Sequence, residues 1–138
     1  MDPAATMRRA YELLNAGDLG EFSTLIADDF VEHEAPPGVD PTKEGVLQFF
    51  AMYRAAFPDL RFEPQQLFTD GNTAAVYYRV TGTHQGEFMG IPATGKSIAV
   101  NGVDIVRFDD EGIAHEHWGV FDAMGMMQQL GVVPGPPA

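Results

Sequence analysis

"LRFEPQQLF", residues 60–68, and "TAAVYYRVTGTH", residues 73–84, are two runs rich in β-branched and aromatic residues, and they flank the pair Asp70-Gly71. Two such runs around an Asp-Gly pair predict a β-hairpin. Up to Leu60 the apolar residues instead recur at helical spacing, apart from a short strand-like segment, "DFVEHEA", at residues 29–35. The change of period at this point predicts helices first and strands afterwards.

The strand pattern continues to Phe121. "SIAVNGVDIVRF", residues 97–108, and "IAHEHWGVF", residues 113–121, flank the turn-forming sequence "DDEG". The two hairpins together predict a long antiparallel meander.

Three helices are predicted before the meander, each with a capping residue. Asp2 precedes Pro3, the inward residues of the first helix are Met7, Ala10, Tyr11 and Leu14, and Gly17 ends it. Asp18 can cap a short second helix. Thr42 can cap the third helix, which carries the best apolar stripe in the chain: Val46, Phe49, Phe50, Tyr53 and Phe57. The predicted fold is α+β, with a strongly curved antiparallel sheet wrapped around the N-terminal helices and a pocket at its open end.

Length and composition limit the classes of function. The chain has 138 residues, 45% of them apolar, which predicts one domain over residues 1–133 with an unfolded tail, "PGPPA", at 134–138. A net charge of -12 argues against nucleic acid and an anionic membrane surface as partners. The sequence has no cysteine, which excludes thiolate chemistry, and no segment of transmembrane length. A cytoplasmic protein is expected.

Asp122 is a single carboxylate at a predicted strand-to-helix junction, among aromatic, aliphatic and methionine residues. It can cap the helix "AMGMMQQL" or, in an apolar pocket, carry a proton, and these two roles are compatible. Asp104 lies on an otherwise largely apolar strand face and is either a second pocket carboxylate or a buried acid bonded to the backbone or a tyrosine. Whether the two carboxylates share a face depends on the hairpin register.

Strict alternation would place Ala114, Glu116, Trp118, Val120 and Asp122 on one face of the last strand, with His115 and His117 on the other. Two imidazoles on one face suggest a metal, but a metal site usually needs a third ligand and supporting residues, and no spacing supplies them. No metal site is therefore predicted. We expect His115 and His117 on the outer face of the sheet.

Two further segments are candidates for the pocket. His33, in "VEHEA", is an exposed histidine or a base in the pocket. The glycine-rich segment "GTHQGEFMGIPATGK", residues 82–96, does not have the spacing of a phosphate loop. It is predicted to be a rim loop in which His84 stabilises a turn and Phe88 and Met89 cover an apolar ligand.

The chain from Met7 to Gly131 resembles the SnoaL-like polyketide cyclases of the nuclear transport factor 2-like superfamily. The resemblance rests on "AFPDL" at 56–60, the glycine-rich segment, and "EHWGVFDAMGMMQQLG" at 116–131. It implies a cystatin-like cone and an acid/base aspartate at the position of Asp122, with neither a metal nor an organic cofactor.

Those cyclases also place a histidine on the preceding strand, where this chain has none. Asp104 and His33 are therefore the expected assistants of Asp122. The expected pocket wall consists of Trp118, Phe50, Tyr53, Phe88 and Met89. The superfamily holds several activities, so fold alone does not define the reaction.

Three functions remain open at this point. The first is a cofactor-independent, cyclase-type enzyme acting on a hydrophobic, oxygenated small molecule by carboxylate acid/base chemistry. The second is an epoxide hydrolase or isomerase of the same fold, and the third is a binding protein without catalysis. A homodimer or larger assembly through the outer sheet face is also predicted, because "TAAVYYRV" carries large apolar residues on both faces.

Overall fold

The computed structural model describes residues 1–135 and contains four helices. They are α1 (Pro3–Ala16), α2 (Leu19–Ser23), α3 (Lys43–Ala56) and α4 (Ala123–Leu130). Each predicted cap is present: the side chains of Asp2, Asp18 and Thr42 accept hydrogen bonds from backbone N–H groups of the first turns. Gly17 ends α1 in the left-handed conformation, with φ of 72°.

Five strands form one open sheet in the order β1-β5-β4-β3-β2. They are β1 (Ile26–Glu32), β2 (Arg61–Asp70), β3 (Thr73–Thr83), β4 (Ser97–Phe108) and β5 (Ala114–Phe121). The last four make the predicted antiparallel meander. The predicted α+β fold with a curved sheet is confirmed.

The first hairpin turns one residue later than predicted. Asp70 pairs with Thr73, so the two central residues of the turn are Gly71 and Asn72. Gly71 has φ of 58°, which a glycine in the first central position adopts without strain.

β1 pairs in parallel with β5, which is the one parallel contact in the sheet of residues 1–135. The sequence indicated a short strand in this region but not its partner. In the observed register Glu32 lies beside His117. This pairing brings two residues that are far apart in the chain to the same edge of the sheet.

The core lies between the helices and one face of the sheet. α1 packs on β2 and α3 on β1, while α4 lies against β4. The most deeply buried side chains include those of Phe57, Val76, Met126 and Leu130. The opposite face of the sheet is open to solvent and carries the exposed rings of Phe68 and Tyr77.

Among residues 1–135, none of the helices has both the length and the apolar character needed to cross a bilayer. Residues 136–138 of the predicted tail lie outside the described residues.

Candidate functional site

A cavity of about 180 Å³ lies between the helices and the inner face of the sheet. Most of its wall is apolar, and α1, α3 and the strands all contribute to it. The aromatic part of the wall consists of Tyr11, Phe22, Phe30, Phe49, Phe50, Tyr53, Phe62, Tyr78, Phe108 and Phe121. The polar side chains among its lining residues are few, as is usual for a small-molecule site.

A chain of four hydrogen-bonded side chains forms the polar part of this cavity. Tyr11 Oη donates to Asp104 Oδ2 at 2.5 Å, and His117 Nε2 lies 2.8 Å from Asp104 Oδ1. On its other side His117 Nδ1 lies 2.7 Å from both carboxylate oxygens of Glu32. All four residues line the cavity. They come from α1, β4, β5 and β1, so the tertiary fold assembles the group.

Gly119 makes the contact between His117 and Asp104 possible. It lies directly opposite Asp104 in the β4–β5 ladder. A Cβ atom at this position would come within 2.6 Å of His117 Cε1 and 3.0 Å of Asp104 Oδ1. A side chain at Gly119 would therefore occupy the space that the imidazole uses to reach the carboxylate.

His117 is positively charged at neutral pH. Burial alone would lower its pKa, but the hydrogen bonds and negative charges of Asp104 and Glu32 outweigh burial and raise the pKa to about 10. Burial raises the pKa of Tyr11 far above its ordinary value, and the neighbouring Asp104 carboxylate raises it further. Tyr11 is therefore a neutral donor, and His117 is an imidazolium between two carboxylates.

A β-bulge decides which histidine faces the cavity. Ala114 pairs with Phe108, but Glu116 pairs with the adjacent Arg107, so His115 is an extra residue in β5. The prediction that His115 and His117 share the outer face is therefore wrong. His115 contacts Asp109 at 2.8 Å, outside the cavity, whereas His117 turns inward.

Asp122 caps α4, as one of its two predicted roles requires. Its Oδ1 accepts a hydrogen bond of 2.8 Å from the backbone N–H of Gly125. Its own N–H donates to the carbonyl of Asn101, which places it on the face opposite to Asp104. The side chain is exposed and does not line the cavities described for residues 1–135. The two carboxylates are therefore not brought together.

His33 and Trp118 lie together, away from the cavity. Their rings stack with centroids 4.6 Å apart, and His33 Nε2 lies 3.2 Å from Glu116 Oε1. Trp118 pairs with Ile105 and so occupies the outer face of β5. The expectation that Trp118 forms part of the pocket wall is thus corrected, because the alternation along β5 restarts after the bulge. His33 is likewise placed outside the described cavities.

The other expected wall residues do line cavities. Phe50 and Tyr53 lie in the main cavity, and Phe88 and Met89 line a second cavity. Both cavities share Phe49, Gly119 and other residues, so they adjoin each other. Met89 has φ of 51° and, with Gly90, forms the tip of a tight turn closed by the Phe88–Ile91 bridge.

His84 stabilises the glycine-rich loop from inside, as predicted. The ring is fully buried, stacks on Phe57 and has Nδ1 3.2 Å from the Thr94 N–H that donates to it. Its backbone also bonds to Gly95 and Lys96 across the base of the loop.

Asp104 is the one predicted catalytic residue that lies in the main cavity, and its predicted bond to a tyrosine is the one to Tyr11. Sequence reasoning missed Glu32 and His117 as site residues. The bulge at His115 conceals the inward direction of His117, and no pattern indicated the parallel pairing of β1. Tyr11 was recognised as an inward residue of α1 but not as a member of the site.

Within the described chain, no group of three or more side chains has an arrangement that could hold a metal ion.

The chain is similar to one protein family and to several solved structures. The model of the SnoaL-like polyketide cyclase family matches residues 4–130. IdmH from Streptomyces antibioticus, described as a candidate polyketide cyclase, is 35% identical, with a TM-score of 0.82 and coverage of 95% of this chain and 99% of IdmH. AclR from Streptomyces galilaeus, described as a candidate hydroxylase, is 29% identical, with a TM-score of 0.86 and coverage of 98% of this chain and 84% of AclR. No protein with a curated description matches the chain significantly.

Proposed function

The chain belongs to the SnoaL-like polyketide cyclase family, and from this premise we propose that it is a cofactor-independent, cyclase-type enzyme acting on a hydrophobic, oxygenated small molecule. Asp104 is its acid/base residue, with Tyr11 and His117 as direct partners. The observation that carries this proposal is the chain Tyr11–Asp104–His117–Glu32 in the wall of an otherwise apolar cavity.

In the proposed reaction Asp104 takes a proton from the substrate and later returns it. The carboxylate of Asp104 removes a proton from a carbon next to a substrate carbonyl, and the electron pair of that C–H bond forms an enolate. The enolate carbon attacks a second carbonyl carbon of the same molecule, and the resulting alkoxide takes the proton back from Asp104. One C–C bond forms and no atom is gained or lost, so neither an oxidant nor a metal is required.

The neighbours of Asp104 keep it in position for this step. Tyr11 and His117 each occupy one carboxylate oxygen, which leaves the second lone pair of each oxygen for the substrate. Glu32 holds the imidazolium of His117 from the other side and acts as a positioning residue. General acid/base catalysis of this kind contributes roughly 10²- to 10⁴-fold to a rate. The apolar wall would supply the remainder by folding the substrate into a reactive conformer.

The role expected for Asp122 passes to Asp104 in this proposal. Asp122 lies outside the described cavities and its carboxylate already caps α4, whereas Asp104 faces the cavity. His33 is bonded to Glu116 on the outer face and has no part in the step.

Opening of an epoxide is the second candidate, and the two carboxylates on one imidazolium favour it. In that reaction Asp104 would take a proton from the attacking hydroxyl or water as the epoxide C–O bond breaks, and it would return this proton to the resulting alkoxide, while His117 and Glu32 hold Asp104 in position. Both candidate reactions use the apolar cavity, and neither is expected to need a cofactor.

Exchange of α-protons in D₂O tests the acid/base step without knowledge of the natural substrate. We expect the wild-type protein to accelerate deuterium incorporation at C1 of 2-tetralone, a neutral bicyclic ketone, followed by NMR. Asp104→Asn keeps the shape of the side chain but removes the proton acceptor, so the acceleration should fall by roughly 10²-fold or more.

Asp122→Asn is the matched control, because it makes the same chemical change outside the cavity. It should retain the exchange rate of the wild type. An Asp104→Asn variant that is folded and as fast as the wild type would disprove the assignment. A wild-type protein that binds 2-tetralone without accelerating exchange would instead support a binding protein without this catalysis.

A further inference from the structure

Three tyrosine rings surround Phe62 beside Asp104. The ring centroids of Tyr11, Tyr53 and Tyr78 lie 6.1, 6.0 and 5.6 Å from that of Phe62. All three line the main cavity, and Tyr53 and Tyr78 are only 6% and 7% exposed. The proposed mechanism uses the hydroxyl of Tyr11 but neither of the other two.

The hydroxyl of Tyr78 lies close to Asp104 along the sheet. Tyr78 pairs with Gly102 in the β3–β4 ladder, and a Cβ atom on Gly102 would come within 2.4 Å of Tyr78 Oη. The phenol therefore lies over Gly102, which is two residues from Asp104 on the same face of β4. Two residues along a strand span roughly 7 Å. Glycine at position 102 leaves the space that this hydroxyl occupies.

Tyr53 approaches the same region from α3. Its ring stacks on Phe88, at 4.9 Å, and packs edge-on against Phe57 and Phe62. Burial raises the pKa of Tyr53 and of Tyr78 far above the ordinary value, and the charge of Asp104 raises both further. Both phenols therefore keep their protons throughout the physiological range, and both sense the Asp104 carboxylate.

The hydroxyls of Tyr53 and Tyr78 are unused donors. Tyr11 Oη is bonded to Asp104, but within residues 1–135 the hydroxyls of Tyr53 and Tyr78 have no hydrogen-bond partner. They are not sealed in the protein interior, because they face the cavity. A buried polar group without a partner costs free energy, so a ligand that supplies an acceptor at this place gains affinity.

We propose that the hydroxyls of Tyr53 and Tyr78 donate hydrogen bonds to a carbonyl oxygen of an uncharged substrate and thereby place its α-carbon at Asp104. This inference rests on the proposed function, and it specifies the class of substrate and the residues that select it.

The charges around the cavity support an uncharged ligand. Its ionisable lining residues, apart from tyrosines, are Glu32, Glu34, Asp104 and His117. No lysine or arginine is among the lining residues of the described chain, and the one cation, His117, is already held by two carboxylates. An anionic ligand would lose its hydration without gaining a positively charged partner, which is costly.

Three probes with one bicyclic frame test this inference by calorimetric titration. They are 2-tetralone, tetralin, which lacks the oxygen, and 1,2,3,4-tetrahydro-2-naphthoate, which carries a negative charge. We expect the wild-type protein to bind 2-tetralone about 25-fold tighter than tetralin, since two hydrogen bonds contribute about 1 kcal/mol each. The carboxylate probe should bind at least about tenfold more weakly than the ketone.

Tyr53→Phe and Tyr78→Phe should each reduce the affinity for 2-tetralone about fivefold and leave that for tetralin unchanged. The double variant should bind the two probes equally. Equal affinity of the wild-type protein for ketone and hydrocarbon, failure to bind either, or variants that retain the preference would overturn the inference.

Melting temperature separates this role from a structural one, with Tyr11→Phe as the matched control. Tyr11→Phe breaks a bond to Asp104 and should lower the melting temperature, whereas removal of an unpartnered hydroxyl from Tyr53 or Tyr78 should not. An equal loss in all three variants would mean that the hydroxyls are structural, contrary to the inference.

The titrations measure binding and require no turnover, so they test this inference separately from the acid/base step. Loss of the ketone preference alone would therefore refute this inference, and unchanged exchange by Asp104→Asn alone would refute the acid/base assignment.

Discussion

His117 shows how its surroundings change a single side chain. An exposed histidine is mostly neutral at pH 7.5, but here two carboxylates raise the pKa to about 10. The charged form therefore stabilises the folded state. Because the pKa is raised on folding, this stabilisation is complete below the unfolded value of about 6.5 and is lost as the pH rises toward 10.

The comparison of the wild type with His117→Gln tests this charge state. The difference in free energy of unfolding should be largest near pH 6.5 and should decrease steadily as the pH approaches 10. Chemical denaturation over this pH range measures it. A difference that is constant or increases with pH would mean that His117 is neutral in the folded protein. His115→Gln gives the comparison with a histidine that lies outside the cavity and is bonded to the single carboxylate of Asp109.

The junction between β5 and α4 shows that a carboxylate in apolar sequence surroundings need not be buried. Asp122 stands among aromatic and methionine residues in the sequence, yet its side chain is exposed and bonds to the N–H of Gly125. The cap satisfies one of the free backbone donors at the start of α4. α4 in turn buries Met126 and Leu130, so the cap supports the packing of the last helix.

Two substitutions of Asp122 separate the cap from any proton transfer. Asp122→Asn should leave the free energy of unfolding nearly unchanged, since asparagine caps about as well as aspartate. Asp122→Ala should lower it by about 1 kcal/mol, because the bond to Gly125 is lost. Both values follow from denaturant titrations. If Asp122→Asn keeps its stability but loses the exchange activity, Asp122 and not Asp104 carries the proton.

The outer face of the sheet bears on how the whole molecule assembles. Phe68 and Tyr77 on this face are 64% and 41% exposed, and Val103, Ile105 and Trp118 lie between them and the far edge. A monomer usually has one polar sheet face. The exposed apolar residues on the outer face therefore support the prediction that a second copy of the chain covers it.

Light scattering after gel filtration tests the assembly. The wild-type protein should have the mass of a dimer or larger species at micromolar concentration, and Phe68→Glu should shift it toward the monomer, because a charge would be buried in the contact. Met52→Glu is the control, since Met52 is also exposed but lies on α3. A wild-type monomer would contradict the prediction.

Features that depend on neighbours in the chain could be read from the sequence. The caps at Asp2, Asp18, Thr42 and Asp122, the two hairpins and the α+β order of elements all follow from local spacing and turn chemistry. Even there the first turn was displaced by one residue, to Gly71 and Asn72. The inward position of Phe50 and Tyr53 also followed from the helical period of α3.

The site depended on contacts between distant segments. A single extra residue, His115, reverses the faces of β5, so His117 enters the cavity and Trp118 leaves it. The parallel pairing of β1 with β5 adds Glu32 from 85 residues away. Local periodicity carries no information about such register and pairing, because both are chosen by the packing of the whole sheet. The sequence therefore predicted the cavity and Asp104, whereas only the tertiary structure determined which residues are bonded to Asp104.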